Sequence, residues 1–220
     1  MRIAAIDAAG AGSVGRSIAG ELVENGHQVM LIDRDAEAIK PERIEGAEWV
    51  LADACEVALL EDAGLQTCDV VIACTGDDKV NLVVSLLAKT EFAVGRVVGR
   101  VNDPRNEWLF TDAWGVDVAV STPRILAALV EEAVSVGDLV RLFTLRQGQV
   151  NLVEVTLPTT TSIAGRPVRD LRLPRDAALV TILRGGRVIV PQPDEPLEPG
   201  DELLFVASTE VEDDVREALR

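Results

Sequence analysis

The run Gly10-Ala11-Gly12-Ser13-Val14-Gly15 constrains this chain more than any other feature. A GxGxxG pattern is weak alone, because glycines recur by chance, and its setting is what gives it force. It follows the apolar run Arg2–Ile6, a short strand, and it opens Val14–Glu24, where Val14, Ile18 and Leu22 have helical spacing. Asp33 closes the next apolar run, Gln28–Ile32, about 20 residues past the last glycine. The arrangement is that of a βαβ unit built for a dinucleotide. Gly10 permits the tight turn, Gly12 lets a pyrophosphate approach the backbone, and Gly15 lets the helix pack closely on the strand. The helix N-terminus adds unpaired N–H groups and a favourable dipole. Asp33 accepts hydrogen bonds from ribose hydroxyls and repels a 2′-phosphate, which favours NAD over NADP, although the adjacent Arg34 softens that exclusion.

The alternation continues. Strands are expected at Glu48–Ala52, Asp69–Cys74, Arg96–Val101 and Val116–Val120. Helices are expected at Glu56–Ala63, from Asp77 or Asp78 to Lys89, and from Asp103-Pro104 onward. Repeated β–α alternation implies parallel pairing with right-handed crossovers, a doubly wound α/β sheet of Rossmann type. Trp108, Phe110 and Trp114 are expected on one helix, Trp108 and Phe110 on different faces. Ligands bind at the carboxyl ends of such strands. That selects Asp53, Thr75 with Gly76, and Arg100. Thr75 and Gly76 offer a hydroxyl and a bare N–H, and Arg100 a phosphate partner. Helix capping by Asp53 and Asp77, and a structural ion pair for Arg100, remain open as alternatives.

Thr122-Pro123 starts a longer helix, with Ile125, Leu126, Leu129, Val130, Ala133 and Val134 in one stripe and Gly137 as its stop. Beyond it the pattern changes. Leu139–Leu145 and Val150–Leu157 are strands, Ile163–Leu171 holds a short helix, and Leu179–Leu183 with Arg187–Val190 flank Gly185-Gly186 as a tight hairpin. A Pro-rich loop, Pro191–Gly200, a strand at Glu202–Ala207 and a helix at Glu210–Leu219 complete a small α+β module. The expected division is a Rossmann domain at 1–120, a connector at 121–137 and the module at 138–220. The acids of the Pro-rich loop, such as Asp194 and Glu195, are expected to be solvated, and no metal cluster is visible.

Composition excludes several functions. Among 220 residues, 37 acids face 21 bases for a net charge of −16, so no basic tract stands ready for a phosphate backbone, and no nucleic-acid partner is expected. There is no tyrosine, and the one histidine, His27, lies in the turn before the second strand, at the end away from the crevice. Catalysis through a Tyr/Lys pair is therefore excluded, and a His/Asp dyad or a His-ligated metal would depend on His27 alone. Cys55, Cys68 and Cys74 form no CxxC pair, so neither a disulfide framework nor a zinc site is indicated. No run is long and apolar enough for a membrane span, and a cytoplasmic location is expected.

The motifs together resemble the regulatory, nucleotide-binding subunits of Trk-type potassium uptake systems, the RCK (or KTN) family. In the first domain the likeness rests on the glycine run, Val29-Met30-Leu31-Ile32-Asp33, Asp53-Ala54, Thr75-Gly76-Asp77-Asp78-Lys79-Val80-Asn81 and Arg100-Val101-Asn102-Asp103-Pro104. In the second it rests on Ile163-Ala164-Gly165-Arg166-Pro167-Val168 and Leu197-Glu198-Pro199-Gly200-Asp201-Glu202. The resemblance implies a non-enzymatic gating subunit that binds NAD(H), or else ADP or ATP. It implies contacts from Gly10, Ala11, Gly12, Ser13 and Val14, and from Asp33, Thr75, Gly76 and Arg100. It also implies an integral membrane potassium-translocating partner, with pairing to a second identical or related RCK subunit. Two departures stand out. Asp7-Ala8-Ala9 lengthen the approach to the first glycine. Ser13 stands where ATP-holding members can carry an arginine, which favours NAD(H) or ADP. An NAD-dependent oxidoreductase and a soluble redox-sensing or nucleotide-sensing regulator are the alternative readings.

Overall fold

The computed structural model describes residues 1–6, 13–145 and 149–219, Ser13 by its backbone alone. They form two compact units, Met1–Pro123 and Arg124–Arg220. In the first, β1 (Arg2–Ile6), β2 (Gln28–Asp33), β3 (Glu48–Leu51), β4 (Val70–Ala73), β5 (Arg96–Val101) and β6 (Val118–Ser121) make one sheet in the order β3-β2-β1-β4-β5-β6. Every pairing in it is parallel, with Ile6 opposite Ile32 on one side and Ala73 on the other. The doubly wound expectation therefore holds, and the strand order reverses between β1 and β4.

The sequence explains which strands lie inside. Four of the five β1 residues are buried, as a strand covered on both faces requires, whereas β3 and β6 at the edges are more exposed. Alternate residues of β1 enter different cores. Ala5 packs with Val29, Leu31 and Ala19 of α1 (Ser13–Glu24). Ala4 and Ile6 pack with Leu60 of α2 (Val57–Asp62) and Val84 and Ala88 of α3 (Asp78–Thr90). Asp77 caps α3, its carboxylate accepting from the Lys79 amide at 2.8 Å.

The helix expected from Pro104 is instead two 3-10 segments, Pro104–Leu109 and Asp112–Trp114. Phe110, between them, fills the space above Gly99 of β5, where a Cβ would come within 2.9 Å of its ring. Trp108 is 74% exposed. Phe110 is thus buried while Trp108 faces solvent, the two-face split expected of a helix but carried by 3-10 segments.

The second unit holds most of α4 (Thr122–Val134) and an antiparallel sheet of β7 (Leu139–Leu145), β8 (Val150–Thr156), β9 (Ala177–Arg184), β10 (Arg187–Ile189) and β11 (Glu202–Ser208), in the order β10-β9-β11-β8-β7. Alternate β11 residues Leu203, Phe205 and Ala207 enter its core with Val153, Val155 and Val215 of α5 (Glu212–Ala218). Gly185 and Gly186 both take positive φ, which the two-residue hairpin joining β9 and β10 requires. Two expectations are corrected. Ile163–Leu171 contains only the 3-10 turn Val168–Asp170. The loop acids are not merely solvated, because Arg184 holds Glu195 at 3.1 Å, Glu198 at 2.8 Å and Asp201 at 2.7 Å, and Arg169 pairs with Asp194. An arginine one strand away can serve the loop because the loop folds back beside it, with Arg184 Nη2 also donating to the Pro196 carbonyl at 2.8 Å.

Candidate functional site

The selected residues outside the glycine run meet at one end of the parallel sheet. Asp33 ends β2 and is buried, its Oδ1 accepting from the Asp35 amide at 2.9 Å. Asp53, just past β3, accepts from the Cys55 amide at 2.9 Å and so shapes its own turn, while Glu56 occupies the N-cap of α2. Burial, with Asp53 beside it, pushes the Cys55 thiol up, so it stays protonated at neutral pH. Of the glycine run, Gly10, Ala11 and Gly12 lie outside the described residues, as does the Asp7-Ala8-Ala9 extension. Ser13 opens α1, Val14 is half-buried, and Gly15 is buried. His27 sits at the opposite end of the sheet, before β2.

Past the switch point, Cys74 follows β4 and its amide donates to the Ile6 carbonyl at 3.0 Å. Gly76 is exposed beyond it. Thr75 is fully buried, and its hydroxyl is spent within the protein, on Asn81 Oδ1 at 2.7 Å and on the Asp77 backbone. The structure therefore corrects the expectation that this hydroxyl is on offer to a ligand. Arg100, near the end of β5, makes none of the salt bridges found among the described residues. Its guanidinium instead lies over the end of β4, Nη1 donating weakly to the Cys74 carbonyl at 3.4 Å. Its Nε is buried and has no hydrogen-bond partner among the described residues. An orphaned cationic donor beside the switch point fits an anion such as a phosphate.

A network that the sequence did not announce joins the ends of β4 and β5. Asn81, buried in the first turns of α3, uses its whole amide. Oδ1 accepts from the Thr75 amide at 2.8 Å as well as its hydroxyl, and Nδ2 donates to the carbonyls of Thr75 at 3.1 Å and Arg100 at 2.8 Å. Asn102 adds a bond to the Thr75 carbonyl at 2.9 Å. The Asp78 carboxylate accepts from the Asn102 amide at 2.6 Å, from the Asp103 amide at 3.0 Å, and from the Asn102 and Asn106 side chains. Burial alone would raise this carboxyl, but the bonds from Asn106, Asn102 and Asp103 outweigh it and hold it below the usual carboxylate range. The available signal was a polar series, Asp78, Asn81 and Ser85, at helical spacing on a face that is otherwise apolar and buried.

Comparison with known proteins places this geometry. Residues 8–122 match the family model of the TrkA-N domain, and residues 152–220 match that of the TrkA-C domain. The Trk system potassium uptake protein TrkA of Mycobacterium tuberculosis, in strains CDC 1551 / Oshkosh and H37Rv, is 68% identical over 211 residues, which covers 96% of both chains. Among solved structures, the GsuK channel bound to NAD superposes with a TM-score of 0.68 at 17% identity, over 98% of this chain and 39% of that one. The Shewanella denitrificans Kef C-terminal domain in its AMP-bound form superposes with a TM-score of 0.51 at 21% identity, over 60% of this chain and 79% of that one.

Proposed function

The chain belongs to the TrkA family, the regulatory proteins of Trk potassium uptake, and from that premise we propose that it regulates by binding a nucleotide across the carboxyl ends of its parallel sheet. The observation that carries the reading is the placement of Asp33 and Arg100 on opposite sides of the β1–β4 switch point, the place where doubly wound sheets take their ligands. Asp33 would hold ribose hydroxyls and disfavour a 2′-phosphate. The backbone of Gly10, Ala11, Gly12, Ser13, Val14 and Gly15 would take the pyrophosphate on the N-terminus of α1. Arg100 would meet a phosphate with its orphaned Nε, Gly76 would offer its amide, and Asp53 would shape the rim between β3 and α2. NAD(H) suits this set better than ATP, because Ser13 brings no cation to a terminal phosphate. ADP is the runner-up.

In this reading the nucleotide is a signal and is not consumed. Ligands that differ in charge or reach stabilise different arrangements of paired RCK subunits, through differential affinities of about 1–3 kcal/mol. The partner is an integral membrane potassium-translocating subunit, approached from the cytoplasmic face. No helix among the described residues is long and apolar enough to cross a membrane itself. Calorimetric titration with NADH, NAD, ADP and ATP tests the reading. Micromolar binding of one of them is expected, weakened at least about tenfold in Asp33→Ala, since the ribose loses charge-assisted bonds. Hydride turnover, or no binding by the folded protein, would overturn it.

A further inference from the structure

A dinucleotide spans both halves of a doubly wound sheet, whereas a mononucleotide such as AMP occupies the half that carries the glycine turn and the ribose carboxylate. Asp33 serves that first half. On the second half, β4 to β6, the groups that reach the crevice are the exposed Gly76 backbone and the Arg100 guanidinium. Among the described residues, the Arg100 guanidinium has only one weak bond of its own. The Arg100 contact with Cys74 is 3.4 Å long, and its Nε is unpartnered among the described residues. Arg100 is paired with Val120 in the β5–β6 ladder, but past the β4–β5 pairing, which ends at Ala73 and Gly99, the two strand ends are tied to each other at Thr75 and at the Arg100 carbonyl by the buried amide of Asn81. Asn102 supports the same Thr75 carbonyl, and Asp78 anchors Asn102 in turn.

We propose that Asn81 is a positioning residue that sets how much more tightly the site binds a dinucleotide than a mononucleotide. It touches no ligand itself. It holds the ends of β4 and β5 at a fixed separation, so that Arg100 and the Gly76 amide meet the second nucleotide half without first having to be ordered. Without its two donated bonds, the Thr75 and Arg100 carbonyls lose their common tie. The cost then falls on the second phosphate, which Arg100 meets, and on the nucleoside beyond it, neither of which AMP carries. The inference rests on the nucleotide reading above.

The test measures NADH and AMP affinities by calorimetry on the full chain, for wild type, Asn81→Asp and Asn102→Ala. N81D keeps the accepting oxygen and the side-chain size but removes both donated bonds. N102A removes the supporting tie at the Thr75 carbonyl alone and keeps the protein's fold accessible to measurement if a buried aspartate does not. The expected result is an NADH affinity about tenfold lower in N81D and about threefold lower in N102A, with AMP affinity within about twofold of wild type. Far-UV circular dichroism reports folding, and if N81D does not fold, N102A decides alone. Parallel losses for NADH and AMP, or unchanged NADH affinity in folded variants, overturn the inference and leave the nucleotide reading standing. Wild-type protein that binds neither ligand overturns the nucleotide reading, and this inference with it.

Discussion

Glu154 is the side chain most at odds with its surroundings. It lies mid-strand in β8, 3% exposed, and its Oε2 has no hydrogen-bond partner among the described residues. Burial, with Glu132 of α4 and Glu202 of β11 adding repulsion, pushes its carboxyl up to about 7 against the hydrogen bond donated by Thr156. The sign follows directly. A folded-state value above the unfolded one means the folded protein binds the extra proton. The associated stability is present in full below the ordinary range near 4.5, and it is lost as the pH climbs toward about 7. Denaturant unfolding between pH 5 and 8 should show a decline on the order of 1–3 kcal/mol that Glu154→Gln removes. An unchanged slope in that variant would place the proton elsewhere. The same scale shows what the sequence hides. Thr75 was visible as a strand-end residue, but its hydroxyl's engagement with Asn81 depends on a helix turn six residues on, which no local pattern encodes. Arg184 was likewise unremarkable until the fold brought three acids to it.

At the level of elements, the parallel sheet was legible because both periodicities agree with it. Its central strands β1, β2 and β4 are nearly continuous apolar runs of strand length, and α3 carries the cap Asp77. The less legible stretches are the 3-10 segments around Phe110 and at Val168–Asp170, where packing against another element overrides helical spacing. Gly115 marks the first of these. It ends the turn Asp112–Trp114 at φ +74°, and a Cβ there would lie 2.6 Å from the Ser85 carbonyl oxygen and 2.9 Å from Lys89 Cγ, both on α3. Backbone cannot yield as a flexible side chain does. Gly115→Ala should therefore lower unfolding free energy by about 3 kcal/mol, combining overpacking with the left-handed penalty. A melting temperature unchanged by the substitution would mean that the turn is free of α3 in solution.

At the level of the whole molecule, α4 poses the main question. Its stripe was legible as an amphipathic pattern, but the partner of that stripe was not. Leu126, Leu129, Val130 and Val134 are exposed along it, and Val136 follows. An exposed apolar stripe on a chain of net charge −16 suits contact with another protein surface, which a single substitution tests. With pairing of subunits as part of the proposed function, Leu129→Glu should shift the solution mass by light scattering toward the single chain. It should do so without lowering the melting temperature of the isolated units, because the side chain supports no core. A variant that keeps the wild-type mass would assign the pairing to another face.

The Arg184 clamp has a consequence in time. The Pro-rich loop lends backbone acceptors at Leu197 and Glu195 to the Gly165 and Val168 amides, and Asp201 takes the Glu198 amide while it holds Arg184 of β9. The Gly165 and Val168 amides should therefore exchange with solvent only when their own segment parts from the loop, and the Arg184 clamp, by holding the loop to β9, slows that opening.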